Sequence, residues 1–291
     1  MTSTQNLRTR LRWFRFALAT CTGLARRGFF IPYRYANSVP KAGHRPESVA
    51  ATRAFAEAEP MFLEILADIE TFADDLEQIV GAPAPAPRWS QGWFPPLDAC
   101  VAYTIVRTRK PRRIVEVGSG HSTRFLARAV NDGGLKTSIT AIDPAPRASL
   151  AGLSAGGQPV EWRRSTVQEA GLEPFSRLEA GDIVFIDSSH ILMPGTDVDL
   201  LFNHVLPALP NGILVHIHDV FLPDDYPASW DWRGYNEQLA IVPMLAGGGW
   251  TPLFASRYAE TRMATVLESA FSTGLPNPEG APASSLWLEK T

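Results

Sequence analysis

Cysteine, surplus positive charge and long apolar runs are all scarce in this sequence, and each shortage closes off a class of protein. Only Cys21 and Cys100 occur among 291 residues. That is too few for a disulfide framework or a thiolate metal cluster, so a reducing cytoplasm is the expected compartment. The formal net charge is -3 and the pI near 6.1. Binding nucleic acid over a whole surface needs an excess of Lys and Arg to neutralise phosphates, so no nucleic-acid partner is expected. A Walker loop with its lysine is missing, as is the third glycine of a dinucleotide fingerprint. Internal repeats and long low-complexity segments are also absent. What is present is ample: 45% hydrophobic residues, with 24 prolines and 22 glycines, suffice for a full core in one domain plus an extension.

The N-terminal stretch LRTRLRWFRFALATCTGLARRGFFIPYRY sets arginines around an apolar patch. Its uninterrupted apolar or small run, residues 16–25, falls short of the roughly 20 residues that span a bilayer. No Ala-x-Ala-like cleavage site follows, which argues against a secretory leader. A basic amphipathic helix remains, docked on its own domain, on a second subunit in a homo-oligomer, or peripherally on a membrane. From Pro46 to Val80 the apolar residues Phe62, Ile65, Leu66, Ile69, Phe72, Leu76 and Ile79 recur every three or four positions. That spacing predicts helices with one face in want of a partner, Pro60 opening the second of two. GAPAPAP, residues 81–87, cannot continue a helix. It divides an N-terminal extension, 1–88, from a catalytic domain, 89–291.

Beyond that boundary short β-branched runs alternate with helical segments. RRIVEV (112–117), TSITAID (137–143), DIVFID (182–187) and GILVHIHD (212–219) read as strands, with STRFLARAV and TDVDLLFNHVLPAL as helices between them. Nearly continuous apolar strands imply a parallel sheet covered on both faces, with ligands at the carboxyl ends of its strands. Gly118 and Gly120 follow the first strand, where missing side chains permit a tight turn and a close approach of backbone to a ligand. Asp143 closes the second strand, where its carboxylate can accept both hydroxyls of a ribose or cap the next turn. Asp187 and Asp219 end two further strands and bring His190 and His218 with them to one lip of the sheet. The donors of Asp187, His218 and Asp219 suit a divalent ion such as Mg or Mn, which would relieve the repulsion of two neighbouring carboxylates. Without a metal, His218 is placed to accept a proton. His216, deeper in the same strand, reads as a structural histidine.

VEVGSGHS resembles the Glu-x-Gly-x-Gly-x-Gly signature of class I S-adenosylmethionine-dependent methyltransferases, with Ser122 in place of the last glycine. PPLDA, VEVGSGHSTRFLARA, FIDSSH, HIHDVFLPDDYP and NEQ together resemble a bacterial group of that class. The resemblance implies a Rossmann-like α/β fold of seven strands, the last antiparallel, in which WTPLFASRY and SSLWLEK supply the sixth and seventh. It implies S-adenosylmethionine held by Glu116, Gly118, Ser119, Gly120, Ser122, Asp143 and Asp187, with Val167 and Gln168 on the adenine side. The expected activity is methyl transfer to a small-molecule acceptor, most simply a hydroxyl, with His218, Asp187, Asp219 and His190 as the catalytic group. Trp93, Phe94, Tyr226, Trp230, Trp232 and Tyr235 are the candidate walls of the acceptor pocket, where aromatic faces stack on a ring or sugar.

Two other classes are weighed against this. A nicotinamide oxidoreductase shares the sheet but needs the full glycine fingerprint or a Tyr-x-x-x-Lys pair, and neither occurs. A non-catalytic module tethered to a membrane accounts for the basic N-terminus but has no use for acids and histidines beyond the cofactor loop. Amino methylation of DNA adenine is disfavoured too, because IDSSH stands where those enzymes carry an Asn/Asp-Pro-Pro-aromatic run.

Overall fold

The computed structural model describes residues 3–79, 83–278 and 280–291, so Val80 and the Gly81–Ala82 start of the expected linker lie outside the described residues. The chain divides into two units, Met1–Lys41 and Ala42–Thr291. In the first, helix α1 (Ser3–Cys21) is followed by irregular backbone and a single 3-10 turn at Ala36–Ser38. No helix among the described residues is long and apolar enough to cross a membrane.

The second unit begins with α2 (Val49–Thr71), capped by Ser48, whose side chain accepts from the Ala51 amide. The two helices expected between Pro46 and Val80 are one long helix and the short Ala73–Glu77, and Pro60 lies inside α2. Pro60 is exposed, as is Ala56 one turn earlier, so the carbonyl that loses its donor meets water. The buried face runs unbroken past the proline through Phe55, Phe62, Ile65, Leu66 and Ile69. It finds its partners in the sheet and in the helix Ser256–Arg262, with the Phe62 ring 5.3 Å from Phe254 and Phe55 5.7 Å from Tyr258. Helix α3 (Pro96–Arg109) opens on Pro96 and is buried at every position from Pro96 to Val106. Such a helix must be covered all round, and α2 and the following helix α4 (His121–Asp132) supply part of that cover.

Seven strands make the sheet: β1 (Arg113–Val117), β2 (Ser138–Ile142), β3 (Glu161–Arg163), β4 (Ile183–Ile186), β5 (Leu214–Ile217), β6 (Trp250–Ala255) and β7 (Leu286–Lys290). Their order is β3-β2-β1-β4-β5-β7-β6. The first five are parallel, and β7 runs antiparallel to both β5 and β6. Every residue of β4 and β5 is buried, as a parallel strand covered on both faces requires. Five of the expected strands match these within a residue or two at each end. WTPLFASRY is a strand only to Ala255, after which Ser256–Arg262 is helical. The strand order reverses between β1 and β4, and the carboxyl edge there is where ligands of such sheets bind.

Candidate active site

At the end of β1 the backbone, more than the side chains, defines the site. Gly118 has φ +82°, and a Cβ on it would stand 1.7 Å from the Asp187 carbonyl oxygen. No side chain fits there, so the loop seats directly on the end of β4, an approach the Asp187 amide secures by donating to the Val117 carbonyl at 2.9 Å. The Ser119 amide and hydroxyl donate to Asp143 Oδ2 at 2.7 and 3.1 Å, while the Ala145 amide donates to Oδ1 at 2.7 Å. Asp143 thus ties the loop to the end of β2, and its two oxygens retain lone pairs for further donors. Ser122 donates to Glu116 at 2.6 Å. Burial raises the Glu116 carboxyl to about 8 against that hydrogen bond. Val167 is buried at the start of a short helix after β3, capped by Thr166, and the Gln168 side chain donates to the Gly195 carbonyl at 3.3 Å. Together these residues line the carboxyl ends of β1, β2 and β3.

The β4 and β5 ends carry charge. His190 lies 3.4 Å from both Asp187 Oδ1 and Asp219 Oδ2 through Nε2, and its Nδ1 is 2.8 Å from Glu237. His218 Nδ1 lies 3.7 Å from Asp187 and 3.5 Å from Asp219, with Nε2 3.5 Å from Asp98. Both imidazoles are almost fully buried, which opposes their protonation, but the surrounding carboxylates carry both well above the usual histidine range. Burial works against ionised Asp187 too, yet His218 and His190 hold its carboxyl well below the usual range. Positive φ adds a second mark of function. Only Lys110, His190 and Asp219 have it among the described non-glycine residues, at 53°, 60° and 56°, and Lys110 merely caps α3. Left-handed backbone costs a non-glycine residue on the order of 1–3 kcal/mol, an expense concentrated where a side chain must be aimed.

The expected quartet of Asp187, His190, His218 and Asp219 is therefore one cluster. His216 is not part of it: its ring stacks on Phe185 at 3.6 Å, its Nε2 pairs with the Ser285 hydroxyl at 2.8 Å, and burial keeps it neutral. Two acids that the sequence reading left without a role complete the cluster. Asp98 in PPLDA accepts from the Ser284 and Ser285 amides at 3.0 and 3.1 Å, and Glu237 in NEQ faces His190. Both motifs stood out in the sequence, but nothing in them marks which side chain turns inward.

The donor types suit a divalent cation, but the arrangement does not fit one. Among the described residues no three such side chains converge to hold an ion. The repulsion between Asp187 and Asp219, the reason for expecting Mg or Mn, is already met by two imidazoles lying between them.

Of the expected acceptor walls, Phe94 and Tyr226 are core residues, Trp93 and Trp232 are exposed, and Trp230 and Tyr235 are half-buried. The Tyr235 ring lies 4.6 Å from His190. Arg233, which the sequence reading passed over, stacks on Trp230 at 3.9 Å and donates to the Tyr235 hydroxyl at 3.1 Å. Arg147 covers Trp93 at 4.5 Å. A cleft of about 320 Å³ opens elsewhere, between Leu97, Glu260 and Ala283, and no member of the His–Asp cluster lines it.

A reversed seventh strand between β5 and β6, a glycine loop after β1 and acids at the ends of β2 and β4 give the Rossmann-like fold that the resemblance to class I methyltransferases implies. Residues 115–220 match a family model described as a methyltransferase domain, a span that runs from β1 through the end of β5. No protein of curated function matches the chain. Similar solved structures include the O-methyltransferase TomG from Streptomyces achromogenes, in complex with SAM. It is 20% identical, with 88% of this chain and 94% of that one covered, at a TM-score of 0.40. An O-methyltransferase from Bacillus cereus in complex with SAH is 14% identical over 78% and 91% of the two chains, at 0.38. The cofactor-bound Rv0187 from MTB is 16% identical over 84% and 98%, at 0.41. At these scores the likenesses add no weight to the strand order and the domain match.

Proposed function

We propose that the protein transfers the methyl group of S-adenosylmethionine to a hydroxyl of a small-molecule acceptor, with His218 taking the acceptor proton. The observation that carries this reading is the double role of Asp187. Its backbone oxygen is seated against Gly118 in the cofactor loop, and its carboxylate faces His190 and His218. A donor held on the loop and an acceptor held at the lip would thus meet over one residue.

The chemistry asks little more of the chain than this. The sulfonium carries its own leaving group, so aligning acceptor oxygen, methyl carbon and sulfur supplies much of the acceleration. The carbon–sulfur bond breaks as the oxygen–carbon bond forms, and the hydroxyl proton passes to His218 in its neutral form, leaving S-adenosylhomocysteine and a methyl ether. Asp187 and Asp219 stabilise the imidazolium so produced, and Glu237 fixes the His190 ring through Nδ1. Trp230, Tyr235 and Arg233 stand on the acceptor side.

The test has two stages. Calorimetry with S-adenosylmethionine, S-adenosylhomocysteine and NAD should register binding of the two sulfur nucleosides alone. Mass spectrometry of metabolite extracts incubated with protein and labelled methyl donor should then reveal a methylated acceptor, and that product should vanish with His218→Ala. Tight NAD binding, or full methyl transfer by a folded His218→Ala variant, defeats the proposal.

A further inference from the structure

The charge of the chain is divided unevenly. Residues 1–41 contain eight Lys and Arg and no Asp or Glu, which leaves nineteen Lys and Arg against thirty Asp and Glu in residues 42–291. A net charge of -3 thus conceals a strongly cationic first unit and an acidic second one. Apolar exposure follows the same division. Among the described residues, twelve large apolar side chains are exposed in the first unit, against eight in the second. Trp13 and Phe14 are 59% and 60% exposed, Leu24 82% and Phe30 71%. Exposed apolar residues this dense mark a surface that meets something other than water.

Their placement identifies what it meets. Over residues 11–21 of α1, a turn of about 100° per residue gathers Trp13, Ala17, Cys21, Phe14, Leu18 and Leu11 into one arc of roughly 160°. Arg12 and Arg15 fall on the opposite side, and Arg12 reaches over the Phe16 ring at 5.2 Å. The pairing recurs beyond the helix, where Arg26 covers Phe29 at 5.2 Å and Arg34 covers Tyr35 at 5.6 Å. A broad apolar arc with arginines outside it, Arg12 lying over Phe16 there, suits the boundary between acyl chains and headgroups, where apolar groups sink and guanidinium groups reach phosphate.

We infer that residues 11–35 dock the protein onto an anionic lipid surface, α1 lying in the plane of the headgroups. Two first units from two copies of the chain would repel each other, and the acidic second unit of another copy would meet the arginines but offers few exposed large apolar side chains to the arc. Nucleic acid would satisfy the arginines but leave the Trp13–Phe14–Leu18 arc in water. Anionic lipid satisfies both features, and the acidic second unit makes the local basic charge necessary for approach, since alone it would be repelled.

Flotation of the full chain with vesicles of phosphatidylcholine, with and without phosphatidylglycerol, tests this. The protein should float with the anionic vesicles, and added salt should weaken the association. Trp13→Ser, Phe14→Ser and Leu18→Ser together, or Arg12→Glu, Arg15→Glu, Arg26→Glu and Arg27→Glu together, should each weaken partitioning by about tenfold or more. The thermal transition of the second unit, followed in the same variants, should not move. The inference is overturned if the full chain stays with the soluble fraction or if both variants float as the parent does. It is overturned equally if these changes abolish self-association or oligonucleotide binding in a chain that never joins vesicles.

Discussion

Around Gly118 the carboxyl edge of the sheet is made of backbone held taut by hydrogen bonds, whereas around His218 it is made of charge. The first region presents a glycine with no room for a Cβ, a serine amide tied to Asp143 and a helix start. The second packs four carboxyl groups, those of Asp98, Asp187, Asp219 and Glu237, around two imidazoles, with two residues in left-handed backbone. Under the proposed function the difference follows from what each would hold. A nucleoside is recognised by shape and by donors at fixed places, which backbone supplies at no cost in charge. A proton in transit needs groups whose ionisation responds to their neighbours, and buried carboxylates beside histidine are such groups.

Gly118→Ala is the severest test of the backbone side. The new Cβ would collide with the Asp187 carbonyl while φ stays positive. Collision and strain together should cost about 3–5 kcal/mol and separate the loop from β4. Thermal unfolding should register that loss, and calorimetry the loss of S-adenosylmethionine binding. A variant with parental stability and affinity would show that the close approach is not structural.

His218→Ala tests the charged side with the fold left in place. Removing a general base lowers turnover by about 100- to 10,000-fold, and S-adenosylmethionine binding should persist. The pH profile carries a second prediction. Because Asp219 and Asp187 hold the His218 proton above its ordinary pH, the acidic limb of kcat/KM should lie above pH 6.5, and Asp219→Asn should move it toward lower pH. Chelators should leave turnover unchanged. If they abolish it and Mg or Mn restores it, the imidazoles are not the cations that the two aspartates use.

The two sides were unequally legible in the sequence. Gly118, Ser119, Gly120 and Ser122 are contiguous with the strand that ends at Val117, so a local pattern reveals them, and Asp143 is found by asking what closes the next strand. The charged cluster draws on α3, the ends of β4 and β5, and the turn before helix Gln238–Gly247. Asp187 and Asp219 were visible as strand-end acids. Asp98 and Glu237 were not, because their burial depends on segments far apart in the chain. Strand β3 was obscure because its Glu161 and Trp162 are exposed at the sheet edge, so no apolar run marks it. Pro60 misled because a proline on a solvent face costs a helix little when a continuous apolar face holds both halves down.

Asp143→Ala sharpens the comparison at smaller scale. It removes the acceptor of the Ser119 amide along with any ribose contact, so S-adenosylmethionine should bind about 1–3 kcal/mol more weakly. Asp143→Asn, which keeps one acceptor oxygen, should lose less. Equal losses in the two variants would mean that charge, not hydrogen bonding, matters at the end of β2.

The smallest effect concerns His121, the first residue of α4, where the backbone side has a titrating group of its own. Burial, with Arg88 and Arg124 nearby, lowers His121 to about 4 from the ordinary 6.5. Between those values the unfolded chain binds a proton that the folded one refuses, so this contribution to stability is complete above pH 6.5 and is lost as pH falls through 4. Glu116 acts in the opposite sense. Its carboxyl, raised to about 8, is protonated in the fold where the unfolded chain is ionised, so acidification from pH 8 toward 4.5 favours the folded state. The two windows overlap, and the parent protein alone would hide His121 behind Glu116. Comparing it with His121→Gln by thermal unfolding at pH 7 and pH 5 separates them. The parent should lose about 1–2 kcal/mol more than the variant on going to the lower pH, after allowance for solvent near a ring that is not fully enclosed. Equal losses would show that His121 takes up its proton in the folded state, and that the backbone side of the edge tolerates charge as the His218 side does.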